Sequence, residues 1–147
     1  MKLLRRTEDR SRGQALVEFA LVFPILALLI FGLVDFGRVV YTQNAISQAA
    51  REGARWGSVQ ARSATDIPGI EDYTVEVMSG VSPDRVTVEA TCIRPGTVVM
   101  PCQTDDTLEV YVETSVVLVT PIIAQIMETL GANPIELTAT SQVVVNN

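Results

Sequence analysis

The peptide bond between Gly13 and Gln14, together with the carboxylate of Glu18, is the first place in this chain where chemistry could occur. Gly13 stands where a basic leader meets a long apolar run, in the string Gly13-Gln14-Ala15-Leu16-Val17-Glu18-Phe19. Hydrolysis after Gly13 would make Gln14 the new amino terminus, with Glu18 fifth and Phe19 sixth. The new α-amino group and the carboxylate would then share one helix face, four residues apart. The carboxylate would also lie near the positive end of the helix dipole. Some such partner is needed. A charged side chain at the centre of a membrane helix costs about 2.5–3.5 kcal/mol on insertion scales, and less toward the surface. The amino terminus of a neighbouring chain could neutralise it as well.

The remaining reactive residue types offer less. Cys92 and Cys102 are the only cysteines, and the nine residues between them include Pro95, Gly96 and Pro101, which suit a tight loop. In an oxidising compartment these two form a disulfide, worth about 2.5–3 kcal/mol by loop entropy. A metal site would need further ligands, and the chain has no histidine. That absence also removes Ser-His and Cys-His nucleophile pairs. Asp105-Asp106 reads as a solvated turn before a strand rather than a calcium site or an acid-base pair. There is no glycine-rich phosphate loop. The expectation is a protein that is not an enzyme, with no cofactor, no metal and no small-molecule substrate.

Several elements must position Gly13 and Glu18. From Ala15 to Val34 run 20 residues that are apolar except for Glu18, enough to cross a hydrocarbon core of about 30 Å. A cleavable secretory signal has a shorter core of roughly 7–15 residues and a small-x-small site. Here the run leads into Asp35-Phe36-Gly37-Arg38 instead, so an anchor is the better reading. Helical periodicity continues to Ser58, with Phe36, Val39, Val40, Ile46, Ala50, Gly53, Ala54 and Gly57 on one face. A helix from 14 to 58 would be about 68 Å long. Glu52 and Arg55 can pair across one turn, and Trp56, far from the bilayer, belongs to a core. Ala45, Ala49, Gly53 and Gly57 recur every four residues. They allow close approach of either the chain's own sheet, the favoured reading, or another helix.

Residues 59–69 read as a loop, and Ile70–Ser79 as a helix closed by Gly80, with a strand as the competing reading. Alternating apolar residues then mark strands over Arg85–Ile93, Thr107–Val119 and Ile135–Val145. Pro121–Leu130 reads as a short helix capping the sheet, closed by Gly131. The expected fold class is α+β: a long N-terminal transmembrane helix, amphipathic beyond the membrane, packed on a small antiparallel β-sheet. Its parts are a leader at 1–13 without fixed structure, a membrane helix at 14–34, its extramembrane continuation at 35–58 and an outer domain at 59–147.

Charge sets the orientation. The net charge is −6, yet Lys2, Arg5, Arg6, Arg10 and Arg12 all precede Gln14, against only Glu8 and Asp9. From Gln14 onward six basic residues face fifteen acidic ones, a net of −9 with no lysine. This asymmetry places the N-terminus in the cytoplasm and the sheet domain outside. Phosphate recognition needs a positive field, so nucleic acid is not an expected partner.

The string Gly13-Gln14-Ala15-Leu16-Val17-Glu18-Phe19-Ala20-Leu21-Val22-Phe23-Pro24 resembles the processing region of TadE-like minor pilins of tight-adherence (Flp-type) pili. Asp35-Phe36-Gly37-Arg38 and Ala49-Ala50-Arg51-Glu52-Gly53-Ala54-Arg55 resemble that family too, so the close likeness covers about the first third of the chain. The resemblance implies a pilin-like fold and a precursor cut between Gly13 and Gln14 by a prepilin peptidase. Glu18 and Phe19 would then serve assembly, with other pilins and the assembly platform as partners. The implied location is the cytoplasmic membrane, single-pass with the N-terminus inside, and the pilus outside the cell. Pro24, which removes a backbone donor, is either a tolerated membrane proline or the point where the helix bends or melts as subunits pack. The major Flp pilins are much shorter, so the resemblance implies a minor component. A signal-anchored surface protein with a ligand-binding outer domain is the alternative.

Overall fold

The computed structural model describes residues 5–60, 66–99 and 101–146, with side chains from Gly13 onward. The chain opens on one helix, α1 (Arg5–Gln60), of 56 residues and therefore about 84 Å long. It begins upstream of the expected start at Gln14. The stretch from Arg5 to Gly13 contains no proline and four arginines, which are good helix formers, so nothing ends the helix there. The expectation of an unstructured leader holds for none of Arg5–Gly13, and residues 1–4 lie outside the described residues. Pro24 sits inside α1 without ending it.

The outer half of α1 is the spine of the core. Ile46, Ala49, Ala50 and Ala54 are buried on the face that meets the rest of the domain. That face differs from the expected one at its start: Phe36 and Val40 are exposed, whereas Asp35 is buried and Val39, Thr42 and Gln43 are half-buried. Gln43 donates from Nε2 to the Thr138 carbonyl at 3.0 Å.

α2 (Ile67–Glu76) lies against the outer half of α1. The helix reading of this region is right, but α2 starts three residues earlier than Ile70. Pro68 occupies its first turn, where the missing N–H costs nothing, so Pro68-Gly69 opens a helix rather than a loop. Gln60 still belongs to α1, and the loop reading of 61–65 lies outside the described residues. Helix geometry ends at Glu76, well before Gly80.

A 3₁₀ turn (Pro83–Arg85) leads into β1 (Val86–Arg94), followed by β2 (Thr97–Val99), β3 (Thr107–Val116), α3 (Pro121–Thr129) and β4 (Ile135–Val144). The four strands form one antiparallel sheet in the order β2-β1-β3-β4. β3 is central, and Leu108, Val110, Val112, Thr114 and Val116 point inward and are buried. Val112 pairs with Val88 on one side and Ala139 on the other, which continues the apolar face across the sheet. Tyr111 pairs with Glu89 and Thr140 on the polar face.

Three features depart from the sequence reading. β2 was hidden in the presumed loop between the cysteines. Pro95-Gly96 makes a two-residue turn with Gly96 at φ 80°, the proline-then-glycine pattern of a type II turn, and folds three residues back onto β1. β3 stops at Val116 instead of Val119, because β4 begins opposite Val116 and Val117–Val119 have no strand to pair with. Finally, α3 does not cap the sheet, and none of its residues is buried. The result is an α+β, pilin-like arrangement: a long apolar helix whose outer half packs on a four-stranded antiparallel sheet.

Candidate functional site

Gly13, Gln14, Glu18 and Phe19 all lie on α1, in a stretch whose side chains are exposed. Gln14 and Glu18 are one turn apart on the same face, and the Phe19 ring packs against Phe23 with centroids 5.4 Å apart. The backbone at Gly13 is helical, so the bond to Gln14 sits within a continuous helix. Among the described residues, one helix is long and apolar enough to cross a membrane, and this is it; its apolar window is not buried by the protein. The first carboxylate of the segment, Glu18, thus faces outward on a bare apolar rod.

Asp35, the first residue after the apolar run, is placed very differently. Its side chain is buried and accepts three hydrogen bonds: from the Val119 amide at 3.0 Å, the Thr120 amide at 2.9 Å and the Thr120 hydroxyl at 2.6 Å. Arg38 approaches it at 3.7 Å and donates to the Val117 carbonyl at 3.4 Å. Thr120 is the N-cap residue of α3. Its hydroxyl does not cap its own helix but reaches across to Asp35. The Thr120 hydroxyl and the Val119 amide hold the Asp35 carboxyl below the usual carboxylate range, against the opposing effect of burial. Sequence reading placed Asp35 within a motif but gave it no task. A carboxylate ending an apolar run, and a Thr-Pro pair before a short helix, were the available signals.

The small residues of α1 lie in the fold as follows. Ala45 is half-buried, and Ala49, Gly53 and Gly57 are buried. A Cβ added at Gly53 would meet Thr74 Oγ1 of α2, and one at Gly57 would come within 2.5 Å of Leu108 Cδ2 of β3. The stripe therefore faces this chain's own α2 and sheet. Beside it, Trp56 stacks on Tyr73 with centroids 4.8 Å apart, and Arg55 Nε donates to Glu52 at 3.0 Å.

Cys92 and Cys102 are joined by a disulfide with Cα atoms 5.6 Å apart, and both are buried. Asp106 is no solvated turn. Its carboxylate receives a bidentate pair from Arg94 at 2.8 and 2.9 Å and the Gln103 amide at 2.7 Å. The Arg94 guanidinium, then the Gln103 amide, pull the Asp106 carboxyl below its ordinary value. The turn is closed further by the Asp105 and Val145 amides, which donate to the carbonyls of Val145 and Asp106. This pairing, invisible in sequence because Arg94 is twelve residues away, fastens the crosslinked end of the sheet. Glu71 is a further unforeseen contact, accepting from the Ala90 amide at 3.0 Å on the part of β1's outer edge that lies beyond β2.

Among the described residues no group of three or more His, Cys, Asp or Glu side chains is arranged to hold a metal. Comparison with curated proteins and with solved structures yields no match. One family model does match, over residues 13–55. That interval starts at Gly13, contains the whole apolar run and Asp35, and stops at Arg55, inside α1. The rod that carries the candidate site is thus similar, over this interval, to the family described as TadE-like protein.

Proposed function

We propose that this chain is a minor pilin or pseudopilin of a tight-adherence pilus, contributing to surface attachment, made as a precursor and cut after Gly13 by a prepilin peptidase. The observation that carries this reading is the uncovered apolar half of α1, with Glu18 five residues past Gly13, in a segment that matches the TadE-like family. Among the described residues, nothing buries the apolar window that bears this lone carboxylate. The carboxylate acquires a partner when cleavage exposes the Gln14 amine. Inside an apolar bundle of neighbouring helices an unpaired charge is expensive, so pairing Glu18 with a terminal amine, its own or a neighbour's, favours assembly of processed subunits.

Gly13 suits the processing step. A glycine inside a helix is weaker than alanine by roughly 1 kcal/mol, which eases the local opening a peptidase requires. The basic leader stays in the cytoplasm and the acidic domain lies outside. Other pilins and the assembly platform are the partners, and the activity is structural rather than enzymatic. The decisive measurement is the mature N-terminus by mass spectrometry. A chain starting at Gln14 is expected; an intact leader in working pili overturns the reading and favours a signal-anchored surface protein.

A further inference from the structure

We infer that α3 is an interfacial helix, lying at the outer surface of the membrane that α1 crosses, with Ile122, Ile126 and Leu130 against lipid. The inference rests on residues 14–34 spanning the bilayer and not on cleavage after Gly13.

The composition of α3 calls for a cover that the described residues do not supply. Pro121-Ile122-Ile123-Ala124-Gln125-Ile126-Met127-Glu128-Thr129 holds one charged residue. Ile123 and Met127 are half-buried, while Ile122, Ile126 and Leu130, a stripe at every fourth position, are 55%, 56% and 72% exposed. The apolar arc is therefore wider than the edge the protein covers.

Position identifies the cover. Asp35 is the first residue past the apolar run, and it holds Thr120, the residue from which α3 starts. From there α3 runs toward the membrane segment, since a Cβ built at Gly32 would lie 3.4 Å from Ile123 Cδ1. Leu28, one turn before Gly32, is half-buried as well, in a stretch that is otherwise almost entirely exposed. Gly32 is three residues inside Asp35, about 4.5 Å along the axis, and Leu28 about 10 Å. Amphipathic interfacial helices sit about 5–10 Å into the headgroup and acyl boundary. Arg38, 3.7 Å from Asp35, stands at the same level, a long side chain of the kind that lays its stem on apolar surface and keeps its charge in water. Lipid is favoured over a second copy of the chain. Three aliphatic side chains are a small patch beside the roughly 800 Å² per partner of a stable protein contact, and partition into lipid needs no matching shape.

The test uses the full chain with its disulfide intact, in phosphatidylcholine nanodiscs at one copy per disc. Nitroxide labels are attached to Ile126→Cys, Leu130→Cys, Leu21→Cys in the span and Val98→Cys on β2. Collision with oxygen is compared with collision with a water-soluble nickel chelate. The labels at 126 and 130 are expected to be several-fold less accessible to nickel than the label at 98, and to favour oxygen as the label at 21 does. If they behave like the label at 98 while the label at 21 reads lipid, the span stands and the inference fails. An aqueous reading at 21 removes the premise itself. Shielding at 126 and 130 that arises only with two copies per disc assigns the stripe to protein contact and overturns the lipid assignment.

Discussion

Glu18 and Asp35 are two carboxylates on one helix in opposite circumstances. Glu18 is exposed on an apolar rod, and in the proposed function its partner comes from cleavage or from another subunit. Asp35 is buried and already accepts three hydrogen bonds from the turn before α3. Different outcomes follow on substitution. Glu18→Ala is expected to insert into the membrane at wild-type levels and to abolish filament formation, read by fractionation and electron microscopy; normal piliation refutes the pairing role. Asp35→Asn keeps the shape but turns a donor toward amide donors. Leaving one buried group unsatisfied costs about 1–3 kcal/mol, to be read as a lower melting temperature of the full chain in detergent. Protease sensitivity should appear first between Val117 and Leu130.

Packing between α1 and its partners depends on what is missing at Gly53 and Gly57. Alanine is the better helix former by about 1 kcal/mol, yet a methyl at Gly53 overlaps the Thr74 hydroxyl, which is itself fixed by donating to the Ile70 carbonyl at 2.7 Å. Overpacking of this kind costs about 1–3 kcal/mol, so steric overlap outweighs propensity. Gly53→Ala is expected to lower the melting temperature, whereas Gly37→Ala, where nothing lies within 4 Å of the added carbon, is expected to raise it slightly. The disulfide acts close by, because Cys92 pairs across the sheet with Leu108, the residue that fills the space at Gly57. The double substitution Cys92→Ser with Cys102→Ser should cost at least the loop-entropy contribution of about 2.5–3 kcal/mol, measured by denaturant unfolding.

For the whole outer domain, the carboxylates set the acid limit. Asp35 and Asp106 both have folded-state values depressed by their partners. Their contribution is therefore present above the unfolded carboxylate value of about 3.9, and it is lost as the pH falls through the lower folded values. The melting temperature should be nearly level from pH 7 to about 5 and drop below about 4. The pair Asp35→Asn and Asp106→Asn should flatten that drop while lowering the plateau; an unchanged acid profile would show that other groups govern it.

Local pattern by itself determined the long helix, the α+β class, the alternating strands and the candidate residues from Gly13 to Phe19. Each follows from a period or a composition that neighbouring residues carry: 20 apolar residues in a row, valines at every second position, glycine before an apolar run. Only the tertiary structure decided which partners Asp35 and Asp106 meet and where α3 lies. Asp35 meets Thr120 from 85 residues away, and Asp106 meets Arg94 from twelve. The amphipathic pattern of 121–130 fits a cap over the sheet as well as a helix beside the membrane segment. Local pattern says that a side chain wants a partner; which partner it finds is set by where the backbone carries the two ends.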